Sequence, residues 1–395
     1  MERDLRLILA IQALRAFAYG FGSVILGTAL ANSGLREGEV GLVFAAMLAG
    51  MALVSLGVGM RGERIGRRKL YLYLLLAMGI SGAVFAMTTV VPLLVLFALT
   101  GTLSTDANES GPITSLEQAM LGQAPSDVRT RVFGKYNAVA YLAGSLGALA
   151  AGGPDTFRSV VPAMPSDQRW LMLIPLVAAL SAMIAARLSS EVEADGEATP
   201  PAKPLNRSKA TVSGLAKLFS LDSFAGGFIV QAFLVYWFHA RFDTNVRLMA
   251  VVFFVAGLLQ AGSSILSGRL AHRFGMLNTM VFSHLPSNVL LIMVPLTPTL
   301  GLAIAVLLLR FALSQMDVPA RQAYVVAMVD PEERTAAAAY TNTARYVTRP
   351  FGPLGAAALM QIAIGAPFVV AGGLKIAYDL LIYKKFRKLP VPEEG

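Results

Sequence analysis

The stretch TDANESGPITSLEQA, residues 105–119, decides how the chain is read. It places Asp106, Asn108, Glu109 and Glu117 inside a run long and apolar enough to cross a lipid bilayer. A second stretch, LRFALSQMDVPARQA at residues 309–323, puts Arg310 and Arg321 at the offsets of Asp106 and Glu117, 204 residues further on and with the sign reversed. The same inversion links LRAFAYGF, which holds Arg15, to LDSFAGGF, which holds Asp222 at a spacing of 207 residues. An ionised side chain at bilayer depth costs about 2.5 kcal/mol or more, so it normally faces a partner or a wet cavity. A duplicated chain with complementary charges in matching segments points to two halves facing each other across a polar pathway.

Composition agrees with a membrane. Only 14% of the 395 residues are charged, against about 25% in soluble domains, and mean hydropathy is +0.62. There is no cysteine, which excludes disulfides, thiolate metal sites and cysteine nucleophiles. The three histidines, His239, His272 and His284, have no metal-ligand spacing. A net charge of +9 is not read as nucleic-acid binding, because the basic residues gather at one set of segment ends. The N-terminus is not expected to be a cleaved signal, since its apolar run contains Arg15 and continues to about residue 30.

Twelve spans are predicted, near 6–31, 38–60, 70–90, 92–124, 132–152, 169–190, 209–238, 246–268, 277–297, 299–329, 336–358 and 361–384. Each is a continuous apolar run, so each is read as a helix. The expected fold is an all-α integral membrane protein of twelve transmembrane helices in two pseudo-symmetric six-helix bundles. Residues 1-188 and 209-395 form the halves, and the polar stretch SSEVEADGEATPPAKPLNRS, residues 189-208, is a cytoplasmic linker. Basic residues in 61–69, 124–131 and 187–209 and at the C-terminus place both termini in the cytoplasm.

The duplication is also carried by polar residues. QAMLGQAPSDVRTRVFGKYNAVAYLAGSLGA and QAYVVAMVDPEERTAAAAYTNTARYVTRPFGPLGA share a Gln-Ala pair, a Pro and an Arg-Thr pair (Arg129-Thr130, Arg334-Thr335). They also share an Asn (Asn137, Asn342) and a Gly (Gly147, Gly352). Apolar composition alone would not repeat polar residues in this order.

On a continuous helix, residues 11 apart return to within about 20° of one face. Asp106 with Glu117, and Arg310 with Arg321, would then form charged stripes, with Asp317 close to the second. Arg15, Asp106, Asn108, Glu109, Asp222, Arg310 and Asp317 lie near the middles of their spans and are the expected substrate- and proton-binding residues. Glu117 and Arg321 sit nearer one end, as a gate. Static ion pairs that merely pin helices are the plainer alternative. Gly111-Pro112 is expected to kink the fourth span. Buried carboxylates can carry protons; Asp106, Glu109, Asp222 and Asp317 are the choices, Asp106 and Glu109 favoured for their polar neighbourhood.

The loop GMRGERIGRRK, residues 59–69, has Gly59, Glu63, Arg64, Gly66, Arg67 and Arg68 in the pattern G-x-x-x-[DE]-R-x-G-R-R, and GRLAHRFG repeats it weakly with Gly268, Arg273 and Gly275. This resembles the signature of the major facilitator superfamily, and the twelve-span plan extends the resemblance over the chain. The resemblance implies that the first, fourth, seventh and tenth helices line the cavity. It also implies that Glu63, Arg64 and Arg67, with Arg129 and Arg334, lock the cytoplasmic side. The fourth span, LFALTGTLS at that place, lacks the Arg of drug–proton antiporters, and the fifth lacks their Pro. The superfamily places the ninth span at the periphery, so His284 is read as structural. The resulting expectation is a prokaryotic, exporter-like secondary transporter of the cell inner membrane, not an enzyme. It would move a small organic solute by alternating access through proton-coupled efflux. It would act as a monomer in the lipid bilayer with a small-molecule substrate, no nucleic acid, no cofactor and no metal, driven by the proton gradient. Import of an organic anion by a facilitator or symporter, with the arginines as binding groups, stays open, as does a non-transporting sensor or scaffold.

Overall fold

In the computed structural model the described residues are 2–106, 111–121, 126–160, 167–193, 205, 207–329 and 333–388. They are almost wholly helical, as apolar backbone in lipid must be, because each peptide group has to find its partner within its own segment. In chain order the helices are α1 (Glu2–Asn32), α2 (Glu37–Ile65), α3 (Arg67–Met87), α4 (Val91–Ala98), α5 (Pro112–Leu121) and α6 (Ser126–Ala150). Next come α7 (Gly153–Val160), α8 (Leu173–Ala185), α9 (Lys209–Gly227), α10 (Gln231–Phe242) and α11 (Val246–Phe274). The last are α12 (Met276–Met293), α13 (Leu300–Ser314), α14 (Asp317–Ala327), α15 (Arg334–Thr348), α16 (Phe351–Met360) and α17 (Ala366–Phe386).

Among the described residues nine segments are long and apolar enough to cross a membrane. The expected fourth and eleventh spans are not among them because each is two shorter helices, α4 with α5 and α15 with α16. The expected fifth span lies in α6, where many N-terminal side chains fall outside the described residues. The chain is an all-helical membrane protein.

The kink expected at Gly111-Pro112 is a full break. No helix is assigned over the described residues 99–106, and α5 starts at Pro112, where a missing N–H costs nothing. Gly101 turns the chain there with φ of 65°, and a Cβ on it would strike the backbone of Gly50. The seventh and tenth spans are also broken, at 228–230 and 315–316. The face arithmetic behind the two charged stripes therefore fails, since neither Asp106 with Glu117 nor Arg310 with Arg321 shares one continuous helix.

The chain forms two compact units, Met1–Ala198 with Val230–Gly257, and Thr199–Ile229 with Leu258–Gly395. In the first unit α1 crosses α6 at very short range. A Cβ on Gly20 would overlap the carbonyl of Gly144, and one on Gly147 would overlap that of Phe17. In the second unit α9 crosses the α15–α16 junction in the same way, because a Cβ on Gly227 would overlap the Arg349 carbonyl and one on Gly352 would overlap Gly227. Gly20 and Gly227 are 207 residues apart, the spacing of Arg15 and Asp222. The sequence repeat is thus a repeated helix crossing that only glycine permits. The second unit packs α12, α14 and α17 with α9 around Phe219, Met280, Tyr324, Tyr378 and Phe386. Leu76, Met183 and Ile265 are each at least 60% exposed, the apolar exterior that lipid solvates.

Candidate functional site

In the first unit Arg15 is buried on α1. Its Nη2 donates to Glu117 Oε2 on α5 at 2.5 Å, to Gln12 Oε1 at 2.5 Å and to Thr114 Oγ1 at 3.2 Å. Glu117 also accepts from the Tyr71 hydroxyl at 2.5 Å and from the Tyr136 hydroxyl. Arg15 is 2% exposed and Glu117 0%. The carboxylate therefore has three donors around it, two of them phenols that stay neutral across physiological pH. A buried pair whose carboxylate is held by three donors is a lock.

Asp222, the counterpart of Arg15, has a different setting in the second unit. Its Oδ1 lies 2.6 Å from Lys375 Nζ on α17 and 3.9 Å from His284 Nε2 on α12. Its Oδ2 lies 3.3 Å from Arg321 Nη1 on α14 and 4.0 Å from Arg345 Nη2 on α15. Arg321 also bonds Asp317 at 3.3 Å, one turn away on its own helix. Beyond His284, Asp379 Oδ1 sits 2.8 Å from Nδ1, and Asp379 Oδ2 accepts from Asn288 at 2.9 Å. Three carboxylates (Asp222, Asp317, Asp379) thus stand among three basic side chains (Lys375, Arg321, Arg345) and one imidazole. Arg345, with 28% of its side chain exposed, is the edge of the cluster nearest to solvent.

The inverted charges are therefore real, but each finds its partner within its own unit: Arg15 with Glu117, and Asp222 with Arg321. Glu117 and Arg321, expected as a gate separate from a central ring, are the direct partners of that ring's Arg15 and Asp222. The breaks in the fourth and tenth spans are what move them there. Asp317 joins the Asp222 cluster as expected.

Asp106 does something else. It lies in the break of the fourth span, and its carboxylate accepts the peptide N–H of Gln231, the first residue of α10, at 2.6 Å. An anion at a helix N-terminus satisfies an orphan donor and meets the positive end of the helix dipole. The Gln231 side chain donates to Ser23 on α1 at 2.9 Å, and the far end of α10 is tied to α1 through His239 and Asn32 at 2.9 Å. Arg310 is half-buried on α13 with its guanidinium carbon 5.1 Å from the Phe311 ring. Asn108 and Glu109 lie outside the described residues, as do the side chains of Glu63, Arg64, Arg129 and Arg334.

Arg67 is described. Its guanidinium approaches the carbonyls of Ala119 and Val192 at 3.4 and 3.5 Å. Its peptide N–H and that of Arg68 donate to the Glu193 carboxylate at 2.6 and 3.2 Å, which caps α3. Asp4 holds Ser189 at 2.9 Å, so the start of the expected linker is pinned to the first unit.

Sequence reasoning missed Lys375, Asp379, Asn288, Arg345 and Glu193, and it set His284 aside as structural. A signal was present for four of them. Lys375 with Asp379, and His284 with Asn288, are each four residues apart inside apolar runs and so share a helix face. Among the described residues, no group of three or more metal-ligating side chains could hold an ion.

Known proteins share this architecture. A point mutant of the nucleoside transporter NupG superposes with a TM-score of 0.77 at 12% identity, covering 97% of this chain and all of that one. A D-xylose-proton symporter gives 0.71 at 14% identity, covering 98% of this chain and 99% of the other. The human organic anion transporter MFSD10 (TETRAN) gives 0.64 at 19% identity, covering 96% and 99%. At these identities the likeness is one of fold. An uncharacterized membrane protein of Saccharomyces cerevisiae (YJR124C) is 28% identical over 418 residues, covering 96% of this chain and 93% of its own length. The family description Major Facilitator Superfamily matches residues 8–353. With the helical fold and the repeated glycine crossings already in view, this match over most of the length means that the chain belongs to the Major Facilitator Superfamily, a family of secondary transporters of small molecules and not of enzymes.

Proposed function

We propose that the protein is a proton-coupled carrier of a small organic solute, with the Asp222 cluster as the coupling centre. The observation that carries this reading is the contrast between the two units. The inverted ion pair of the first is closed off by neutral phenols, whereas that of the second is surrounded by groups that can exchange partners. A proton arriving at such a cluster changes which cation holds which carboxylate, and the helices bearing them respond. Five helices, α9, α12, α14, α15 and α17, bring side chains to the cluster.

The halves 1-188 and 209-395, joined by 189-208, would rock about the substrate, with both termini in the cytoplasm and the monomer in the inner membrane. Asp106 serves as a cap on α10 and Arg67 as part of the lock at the cytoplasmic side, with Glu63, Arg64, Arg129 and Arg334 as its further members. Asn108, Glu109 and Arg310 remain proposed solute contacts. Outward movement of solute, as in prokaryotic exporters, is the proposed direction.

A second reading, carriage of an organic anion, is favoured by one observation: three basic side chains surround Asp222, and one of them, Arg345, is partly open to solvent. One experiment separates the readings. Proteoliposomes holding the pH dye pyranine are given, one at a time, nucleosides, pentoses, dicarboxylates and amphipathic cations. Proton-coupled efflux predicts that one class moves protons opposite to itself. Proton movement in the same direction as an anion would replace efflux by symport. Solute flux indifferent to a pH gradient would end the proton-coupled reading.

A further inference from the structure

We infer that His284 carries the coupling proton and that Asp379 positions it, the proton acting by displacing Lys375 from Asp222. This rests on the proton-coupled reading above. His284 is 5% exposed, on a helix face whose charged neighbours come from four other helices. They are Asp222 on α9, Asp317 and Arg321 on α14, Arg345 on α15, and Lys375 and Asp379 on α17, with Tyr378 edge-on at 6.0 Å.

The hydrogen bonds limit where protons can be. His284 Nδ1 is 2.8 Å from Asp379 Oδ1, and two bare acceptors do not approach so closely, so one proton lies between them. Asn288 holds the other Asp379 oxygen at 2.9 Å, so both carboxylate oxygens are engaged. Asn288 Nδ2 also lies 3.1 Å from Nδ1. In the neutral ring with its proton on Nδ1, Nε2 carries the lone pair; it lies 3.9 Å from Asp222 Oδ1, the oxygen that Lys375 Nζ already occupies at 2.6 Å.

With the imidazole neutral, three carboxylates face three cations. A proton that adds to Nε2 forms an N–H bond, leaves Lys375 protonated, and raises the charge of the cluster by one. Nε2–H and Nζ then compete for one carboxylate oxygen. The imidazolium is held rigidly by Asp379, whereas Lys375 is a flexible chain beside Gly226, where a Cβ would stand 3.8 Å from Nζ. Lys375 is the one to leave, and its departure removes the ion pair that joins α17 to α9. Loss of the proton restores the original pairing, so no other reactant is needed. Imidazole is the side chain whose ordinary titration falls between about pH 5 and 8.

The full-length chain in nanodiscs allows a direct test, because it has three histidines and no cysteine. In 15N-histidine-labelled protein, His284→Gln removes one signal and identifies it. The inference expects that signal in the wild type to pass from neutral imidazole to imidazolium between pH 5 and 8.5. A His284 that stays neutral over the whole range overturns it, and this measurement does not depend on any variant folding. The second arm places dye labels at Gly38→Cys and Gln361→Cys for single-molecule energy transfer. One linked proton changes the ratio of two states by up to about tenfold per pH unit. The expected result is such a change in the wild type and its loss in His284→Gln, with Asp379→Asn displacing the midpoint. A pH response that is unchanged in His284→Gln overturns the role of His284 and leaves proton coupling standing. A wild type with no pH response overturns both.

Discussion

The lock in the first unit gives the sharpest energetic prediction. Glu117→Gln removes the carboxylate that Arg15 Nη2 holds, with Arg15 2% exposed and the partner 0%. Removing one member of a buried pair leaves the other uncompensated and costs about 3–5 kcal/mol. The two tyrosine hydroxyls that donate to Glu117 also lose an ionised acceptor, so the upper part of that range is expected. At 1.36 kcal/mol per tenfold, the folded-to-unfolded ratio should fall by roughly two to four orders of magnitude. Replacing both partners, in Arg15→Leu with Glu117→Leu, removes the stranded charge and should recover more than half of the loss. The assay is reversible unfolding in bicelles by steric trapping, on wild type, single variant and double variant. A single variant that costs less than about 1 kcal/mol would refute the reasoning, because a loss of that size is typical of exposed, solvated pairs. The pair would then line a wet cavity, as the sequence alone implied.

Other outcomes follow from the same structure. Gly147→Leu and Gly352→Leu should each prevent folded, monodisperse protein on size exclusion, since both put side chains into backbone, whereas Gly262→Ala, with open space around it, should elute as wild type. Glu193→Gln weakens the cap on α3 and should cost about 1 kcal/mol in a thermal-shift series; a rise in stability would count against the cap. Asp106→Asn removes the anion at the α10 N-terminus, worth about 0.3–2 kcal/mol. A cysteine introduced at Gln231 should become more reactive to maleimide in Asp106→Asn than with Asp106 intact.

The parts legible in the sequence are those that obey local rules. The duplication could be read because a helix crossing fixed by Gly20 and Gly147 had to be preserved at Gly227 and Gly352. The inverted charges could be read because charge inside an apolar run is conspicuous. Pairing was not legible, because it depends on helix continuity. The stripe linking Asp106 to Glu117 assumes 3.6 residues per turn through a segment that turns at Gly101 and restarts at Pro112. The site was half legible. Asp222, Asp317 and Arg321 stood out, but Lys375 and Asp379 form a pair of opposite sign four residues apart in the last span, which passes for a local ion pair. In the structure Lys375 turns to Asp222 and Asp379 to His284. The surroundings of His284 were not legible because they are tertiary: α12 packs against α13, α14 and α17 within the second unit.

The central claim is that a proton entering the Asp222 cluster drives transport. Its most direct measurement is current on a solid-supported membrane loaded with the purified carrier, recorded after a pH jump and after addition of the solute found with the dye assay. The account predicts solute-dependent currents that change between pH 6 and pH 8 and vanish in Asp222→Asn, while solute exchange without a gradient persists. Wild-type currents identical at both pH values, or undiminished in Asp222→Asn, would contradict it.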